Sequence, residues 1–366
     1  MTIGIGGAGC KLAVELDNEA VLVNVSQVEL NKVQGGSERI LATVRAEHGQ
    51  FRGSRKNPEI GHDAYESIKR ELQAAIRGNK VFSSTGGGTG NGITSGILND
   101  LAKAENISTQ DKTFFGIVLP YAGLESSEFV DNTIDFLTGP LTEAIDSGNT
   151  GNIVLFSNKE KFEKEIAEDV FNTMLIDSLK VFLAIPDKNE MYRLRDGHID
   201  HEDFALYISK PYFNYFTSFD YEPSKDIEAQ LDANMNTLLL EPDNAIEAMF
   251  LLEIPQGGDP TIFYSVLRYF NSKDVTPIYS VIENPSLKKP FITVSLLYSR
   301  KPDELLEDFN RISEHHAQVK VKKSLDQYVP MPKLAVNMED EAKKAVSKRT
   351  DVQEDVLATL RRIGKL

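Results

Sequence analysis

Short apolar runs alternate with amphipathic stretches along the first half of the chain. Residues 2–5, 20–25, 80–83, 114–119 and 151–156 are compact apolar runs of strand length, while Lys11 to Leu16 and the set Ile93, Ile97, Leu98 and Leu101 repeat with helical spacing. Strand, helix, strand in that rhythm predicts a parallel sheet flanked by helices, with ligands bound beyond the carboxyl ends of the strands. The first domain is placed at 1–158. Ile166, Val170, Phe171, Met174, Leu175 and Leu179 then form the apolar stripe of a long helix over about 161–183, within a central segment at 159–210. From about Asp226 the pattern changes. Runs at 248–254, 278–282 and 291–298 read as strands, with a helix over 261–270 and Pro/Gly punctuation at 255–260 and 284–285, which predicts a smaller second α/β domain at 211–300. The remainder, 301–366, begins with a helix over 303–316 whose one face carries Leu305, Leu306, Phe309 and Ile312. Beyond Pro330 and Pro332, Val352, Val356, Leu360 and Ile363 form an amphipathic stripe beside Arg361, Arg362 and Lys365. The expected class is α/β: an N-terminal Rossmann-like parallel-sheet domain, a long central helix, a smaller C-terminal α/β domain and a helical tail.

Composition narrows the setting. With 366 residues, 41% apolar, the chain can bury substantial cores, and its one cysteine, Cys10, excludes an internal disulfide framework and fits a reducing, cytoplasmic compartment. No apolar run approaches transmembrane length, and the first residues lack a signal-peptide profile. A net charge of −15 argues against direct nucleic-acid binding or anionic-membrane binding by the body. It leaves self-association open, because salt near physiological strength screens charges beyond roughly 8 Å.

The chemistry concentrates in glycine. Ser84-Thr85-Gly86-Gly87-Gly88-Thr89-Gly90-Asn91-Gly92 places five glycines within seven residues, between a strand and a helix start. Backbone N–H groups freed of Cβ interference can converge there on an anion, with the Thr89 hydroxyl beside them. No lysine follows, so this is not the pattern GxxxxGK[ST]. Converging amides at roughly 1.5–3 kcal/mol per charge-assisted hydrogen bond, together with Mg²⁺, can stand in for that lysine. A flexible glycine linker is the plain alternative, and the framing strand and apolar helix speak against it. Gly4-Ile5-Gly6-Gly7-Ala8-Gly9 satisfies GxGxxG, which admits a Rossmann dehydrogenase. That reading needs an acid at the end of the second strand, where this chain has Asn24, Val25 and Ser26, and it leaves residues 86–92 unexplained.

With the intervening run Phe51 to Gly61, which ends Asn57-Pro58-Glu59-Ile60-Gly61, the two glycine loops resemble those of the tubulin/FtsZ superfamily of GTPases, over roughly residues 2–300. Leu22 to Lys32, Gly53 to Gly61, the Leu119-Pro120 turn and the run Asp200 to Ala205 are similar to the TubZ branch, borne by plasmids and phages. Ser26 departs from the aspartate of division FtsZ. The resemblance implies GTP or GDP with Mg²⁺ as ligand. It assigns Gly6, Gly7, Ala8 and Gly9 to the α- and β-phosphates, with Cys10 beside the nucleotide, although a small buried residue is the plainer reading of Cys10. Asn24 falls near the phosphates, or is simply a strand-end turn residue. Gly86, Gly87, Gly88, Thr89, Gly90, Asn91 and Gly92 form the main phosphate loop, and Gly53 and Ser54 approach the γ-phosphate. Arg55 and Lys56 read as phosphate binders or as solvated loop charges. Glu125 belongs to the ribose loop, Asn158 lies near the sugar and base, and Asn172 reads guanine. Glu168 occupies the family's stacking position, with Phe171 adjacent.

Asp200 and Asp203 stand three apart at a loop-to-helix start. By themselves they read as a helix cap. The resemblance implies that they are the catalytic pair, entering the nucleotide pocket of the next subunit to polarise the attacking water, with Glu202 a lesser candidate. His198 and His201 have no third ligand nearby, so no protein metal site is expected. A site split between subunits means head-to-tail filaments. The implied function is a GTP-hydrolysing filament that segregates or positions plasmid or phage DNA through a DNA-bound adaptor held by the tail. Another cytoskeletal homologue, for division or phage centring, and a non-hydrolysing GTP-bound scaffold remain the alternatives.

Overall fold

The apolar runs pair into one sheet. The computed structural model describes residues 1–326 apart from 47, 48, 51, 243 and 300–302, so the stripe at 352–363 lies outside the described residues. Among these residues the sheet has eleven strands. Six are parallel, in the spatial order β3 (Glu38–Leu41), β2 (Val21–Asn24), β1 (Thr2–Ile5), β6 (Lys80–Ser84), β7 (Phe114–Leu119) and β8 (Ile153–Ser157). The others follow as β10 (Phe213–Asp220), itself parallel to β8, then β13 (Phe291–Tyr298), β11 (Ala245–Ile254), β12 (Ile278–Glu283) and β9 (Arg193–Gly197) at the far edge, pairing antiparallel with one another except for β11 with β12. A separate antiparallel pair joins β4 (Arg45–Ala46) to β5 (Gly49–Gln50).

The two half-sheets meet at a single register pair, Phe213 opposite Ile153. A buried polar network spans this joint. Asn152 donates to the carbonyls of Tyr207 (3.1 Å) and Lys210 (2.9 Å), Asn214 donates to Asn152 Oδ1 (2.8 Å), and Ser295 donates to Asn214 Oδ1 (2.7 Å). Every amide is thereby partnered, as burial requires. The large core fills the first half and the joint. A smaller one, with Phe219, Phe250, Phe263, Phe270 and Val281, fills the second.

Helices α1 (Gly6–Leu16), α2 (Gln27–Lys32), α3 (Pro58–Ile76), α4 (Gly88–Lys103), α5 (Ser127–Thr138) and α6 (Pro140–Asp146) belong to the first half. The expected helix over 161–183 is broken. α7 (Lys159–Glu163) stops where Glu165 turns left-handed at φ 53°, and α8 (Glu168–Leu183) starts afresh with two acids in its first turn. The buried stripe of α8 is Phe171, Leu175, Ile176, Leu179 and Phe182, so Val170, one position off that row, is 52% exposed rather than on the stripe. Then come α9 (Ile185–Met191), α10 (His201–Ile208), α11 (Ile227–Ala233) and α12 (Phe263–Ser272). The last helix, α13 (Asp303–Asp326), outruns its expected end at 316. Residues 1–314 form one compact unit, whose boundary falls within α13. Within that unit, Phe309 is fully buried against Ala122 and Val130, the latter on α5. No helix among the described residues is long and apolar enough to cross a membrane.

Candidate nucleotide site

The carboxyl ends of β1 and β6 each run into glycine, and the two loops touch backbone to backbone. α1 begins inside the first glycine run, at Gly6, rather than at Lys11. Gly6 has φ +72°, and a Cβ there would sit 2.9 Å from the Gly90 nitrogen. At the second loop Gly87 is the N-cap of α4, and a Cβ on it would meet nothing within 4 Å. Other glycines do different work. A Cβ on Gly88 would lie 2.5 Å from the Asn57 nitrogen, on Gly61 2.2 Å from the Gly88 oxygen, and on Gly92 2.0 Å from the Pro58 oxygen. The run Asn57 to Gly61 therefore lays α3 directly on the backbone of α4. Asn57 caps α3 by accepting from the Glu59 N–H (2.9 Å), with Pro58 in the first turn.

These loops wall a cleft of about 470 Å³. Of the expected residues, Gly7, Ala8, Gly53, Ser54, Gly86, Gly87, Gly88, Thr89, Gly90, Glu125 and Asn158 line it, together with Arg55 and Lys56. Glu125 accepts from the Tyr121 N–H (2.7 Å) and from the Asn158 amide (3.1 Å), which joins two expected contacts into one unit. Gly6, Gly9, Cys10, Asn24, Asn91, Gly92 and Asn172 are not among the residues that line it. The Cys10 thiol is fully buried and donates to the carbonyls of Gly4 (3.3 Å) and Val23 (3.5 Å); burial pushes its pKa up to about 12. Asn24 is buried too, and its amide donates to Glu29 (2.9 Å), holding that carboxylate on the wall.

Sequence reading overlooked Ser26, Glu29, Phe129 and Lys161 as lining residues, and left Glu168 without a role. Ser26 and Glu29 carried a legible signal. Ser26-Gln27-Val28-Glu29 is a capping box, and the Ser26 hydroxyl does accept from the Glu29 N–H at 3.3 Å. Glu168 pairs with Lys11 at 2.7 Å. The hydrogen bond from Lys11 holds its carboxyl below the usual range against the opposing effect of burial.

Asp200 and Asp203 do not line the cleft. They follow β9, the strand at the sheet edge opposite β3. Asp200 Oδ1 accepts from the Asp203 N–H at 2.8 Å and caps α10, and both residues stay partly exposed. The loop is fastened from behind: Ile199 is buried, its N–H donates to Asn189 (3.4 Å), and Asn189 also accepts from Ser280. His201 lies 3.4 Å from both the Asp187 and Glu190 carboxylates at the surface. No group of three or more His, Cys, Asp or Glu able to hold a metal gathers among the described residues.

No protein-family model matches the chain. It is 32% identical over 117 residues to the cell division protein FtsZ of Neisseria gonorrhoeae, a stretch covering 29% of each chain, so the match spans under a third of that relative's length. In structure it resembles a GTPγS-form protofilament of TubZ from Bacillus thuringiensis serovar israelensis, with TM-score 0.71 and 12% identity over 88% of this chain and 93% of that one. It also resembles TubZ of Clostridium botulinum phage c-st, with TM-score 0.63 and 17% identity over 87% and 97% of the two chains. In fold the chain resembles these TubZ structures, and FtsZ structures as well.

Proposed function

We propose that this chain is a GTP-dependent cytoskeletal protein that assembles head to tail and hydrolyses GTP where one subunit meets the next. One observation carries the reading. The cleft has two glycine loops and two helix N-termini converging on it, yet no aspartate lines it among the described residues, while Asp200 and Asp203 stand partly exposed after β9, the strand at one edge of the sheet. A triphosphate suits the glycine end, where backbone N–H groups and the ends of α1 and α4 favour negative charge. Glu125 with Asn158 suits a ribose. Asn172, expected at guanine, does not line the cleft but lies one turn along α8 from Glu168, which does. In a head-to-tail contact the two aspartates of one subunit would face the γ-phosphate of the next and orient the attacking water.

Mg²⁺ fits this cleft. It binds nucleotide phosphates through one or two protein oxygens and several waters, and the lining offers the Glu29 carboxylate and the Thr89 hydroxyl. When bound it supplies neutralisation of phosphate charge.

As biological setting we propose DNA segregation or positioning, with a DNA-bound adaptor engaging the tail, on the strength of the TubZ resemblance of the sequence motifs. A second reading rests on Glu29. Its carboxylate on the cleft wall, beside Gly7, could serve as base in a self-contained site. GTP turnover against protein concentration, with light scattering in parallel, separates the two. Turnover appearing only above a critical concentration, with an Asp200→Ala/Asp203→Ala double variant that polymerises without turnover, is the expected result. Turnover linear in protein from the lowest concentration, with no scattering, would retire the split site in favour of Glu29.

A further inference from the structure

Helix α5 presents one face to both nucleotide loops. The Phe129 ring fills the space beside Gly86, where a Cβ would come within 2.9 Å of it. The Thr133 hydroxyl lies 2.7 Å from that of Thr85. Between them, the Asn132 side-chain amide donates twice, to the Gly86 carbonyl (2.8 Å) and to the Lys56 carbonyl (3.0 Å). The Asn132 backbone carbonyl in turn accepts from the Asn91 amide (2.9 Å), which also donates to the Thr85 carbonyl (2.7 Å). One side chain thus spans the phosphate loop and the loop that carries Gly53 and Ser54 to the cleft wall.

The second loop needs holding. Arg55 and Lys56 have φ of 51° and 61°, a left-handed conformation that residues with side chains rarely adopt. Such geometry persists where surrounding contacts over-determine it, and it clusters at switch regions. The Lys56 carbonyl is the atom Asn132 grips, and the Lys56 ammonium lies 4.9 Å from the Phe129 ring centroid.

We propose that Asn132 is a positioning residue for the γ-phosphate end of the cleft. Its amide locks residues 53–57, in their strained form, to the phosphate loop, so the two walls that would grip the terminal phosphate move as one. The inference rests on the nucleotide reading above and adds to it a residue outside all three glycine motifs. If Gly53 and Ser54 meet the γ-phosphate as the nucleotide reading has it, a diphosphate would lack that contact, so losing this lock weakens triphosphate binding selectively.

The test is equilibrium binding of fluorescent GTPγS and GDP to the full chain, for wild type, Asn132→Ala and Asn132→Asp, with thermal unfolding of each. Asn132→Ala is expected to lower GTPγS affinity about tenfold, the size of one or two hydrogen bonds. GDP affinity should stay within about twofold. Asn132→Asp, which sets a carboxylate against two carbonyls, should lose more. A double-variant comparison completes the test. Because glycine adopts positive φ without support, Asn132→Ala should cost less in a Lys56→Gly background than in wild type. Equal loss for both nucleotides, or no loss, overturns the inference, as does an undiminished cost beside Lys56→Gly. Wild type binding neither nucleotide would instead bring down the nucleotide reading itself.

Discussion

The cleft and the loop at Asp200 are built from opposite materials. The floor of the cleft is made by backbone, from glycines that admit close approach and from helix ends, while side chains such as Glu29, Lys56, Glu125 and Asn158 complete the wall. The loop is made by side chains. A capping carboxylate, a buried Ile199 and the Asn189 amide hold two acids partly exposed on a short helix. On the proposed reading, the contrast separates binding from chemistry. The cleft has the groups to hold an anionic ligand, whereas Asp200 and Asp203 lie outside its lining among the described residues. Under the proposed function each region supplies what the other lacks.

The sharpest way to break this comparison is Asp203→Asn. The cap uses the Asp203 backbone N–H, so folding should be unaffected, while phosphate release under polymerising conditions should fall by about 10²–10⁴-fold, the range for a lost general acid–base group. Unchanged release would mean that the two regions never meet. Next in size is a pair of glycine variants. Gly92→Ala drives a Cβ to 2.0 Å from the Pro58 carbonyl and should destabilise the fold by about 1–3 kcal/mol in denaturant unfolding. Gly87→Ala, with open space around the new methyl, should stay within about 0.5 kcal/mol of wild type and show its effect on nucleotide affinity instead. A smaller effect sharpens the acid loop: Asp200→Ala removes the α10 cap and should cost about 1 kcal/mol, which Asp200→Asn restores without restoring turnover.

The smallest effect is one of pH. Burial pushes the Asp100 carboxyl upward, but hydrogen bonds from Lys69 (2.8 Å) and Tyr65 (2.5 Å) outweigh it and leave it below the usual carboxylate range. A depressed folded-state pKa stabilises above the unfolded value of about 3.9 and is lost as pH falls through the lower one. The stability gap between wild type and Asp100→Asn should therefore be constant above about pH 5 and close as the pH drops toward 2.

Five of the six parallel strands in the first half were legible because burial on both faces writes them as continuous apolar runs, whereas β3, exposed at three of its four positions, was not. β9 was not, since Arg193-Leu194-Arg195-Asp196-Gly197 is an edge strand whose arginines answer Glu283. β10 was hidden by Asn214, Thr217 and Ser218, whose partners at Asn152, Asn234 and Thr293 lie far away in sequence. The same limit applied at the site. Glycine strings marked where the cleft is, but the string alone could not separate Gly87, which opens to the cleft, from Gly92, which packs helices. Asn132 escaped notice because its partners are 46 and 76 residues away. Glu168 lay in plain view, but its pairing with Lys11 across 157 residues has no local signature.

The bare contact between α3 and α4 also limits how far news of the bound ligand can travel. With no side chain between Asn57 and Gly88, the downstream end of residues 53–56 is fixed to the phosphate loop. Those four residues, fully extended at about 3.3–3.6 Å each, could carry their tip only roughly 14 Å from that anchor. So short a tether can reshape its own rim but cannot touch the far edge of the sheet. Any message bound for that edge must be handed to a neighbour within reach, and α5 is the body this tether already holds.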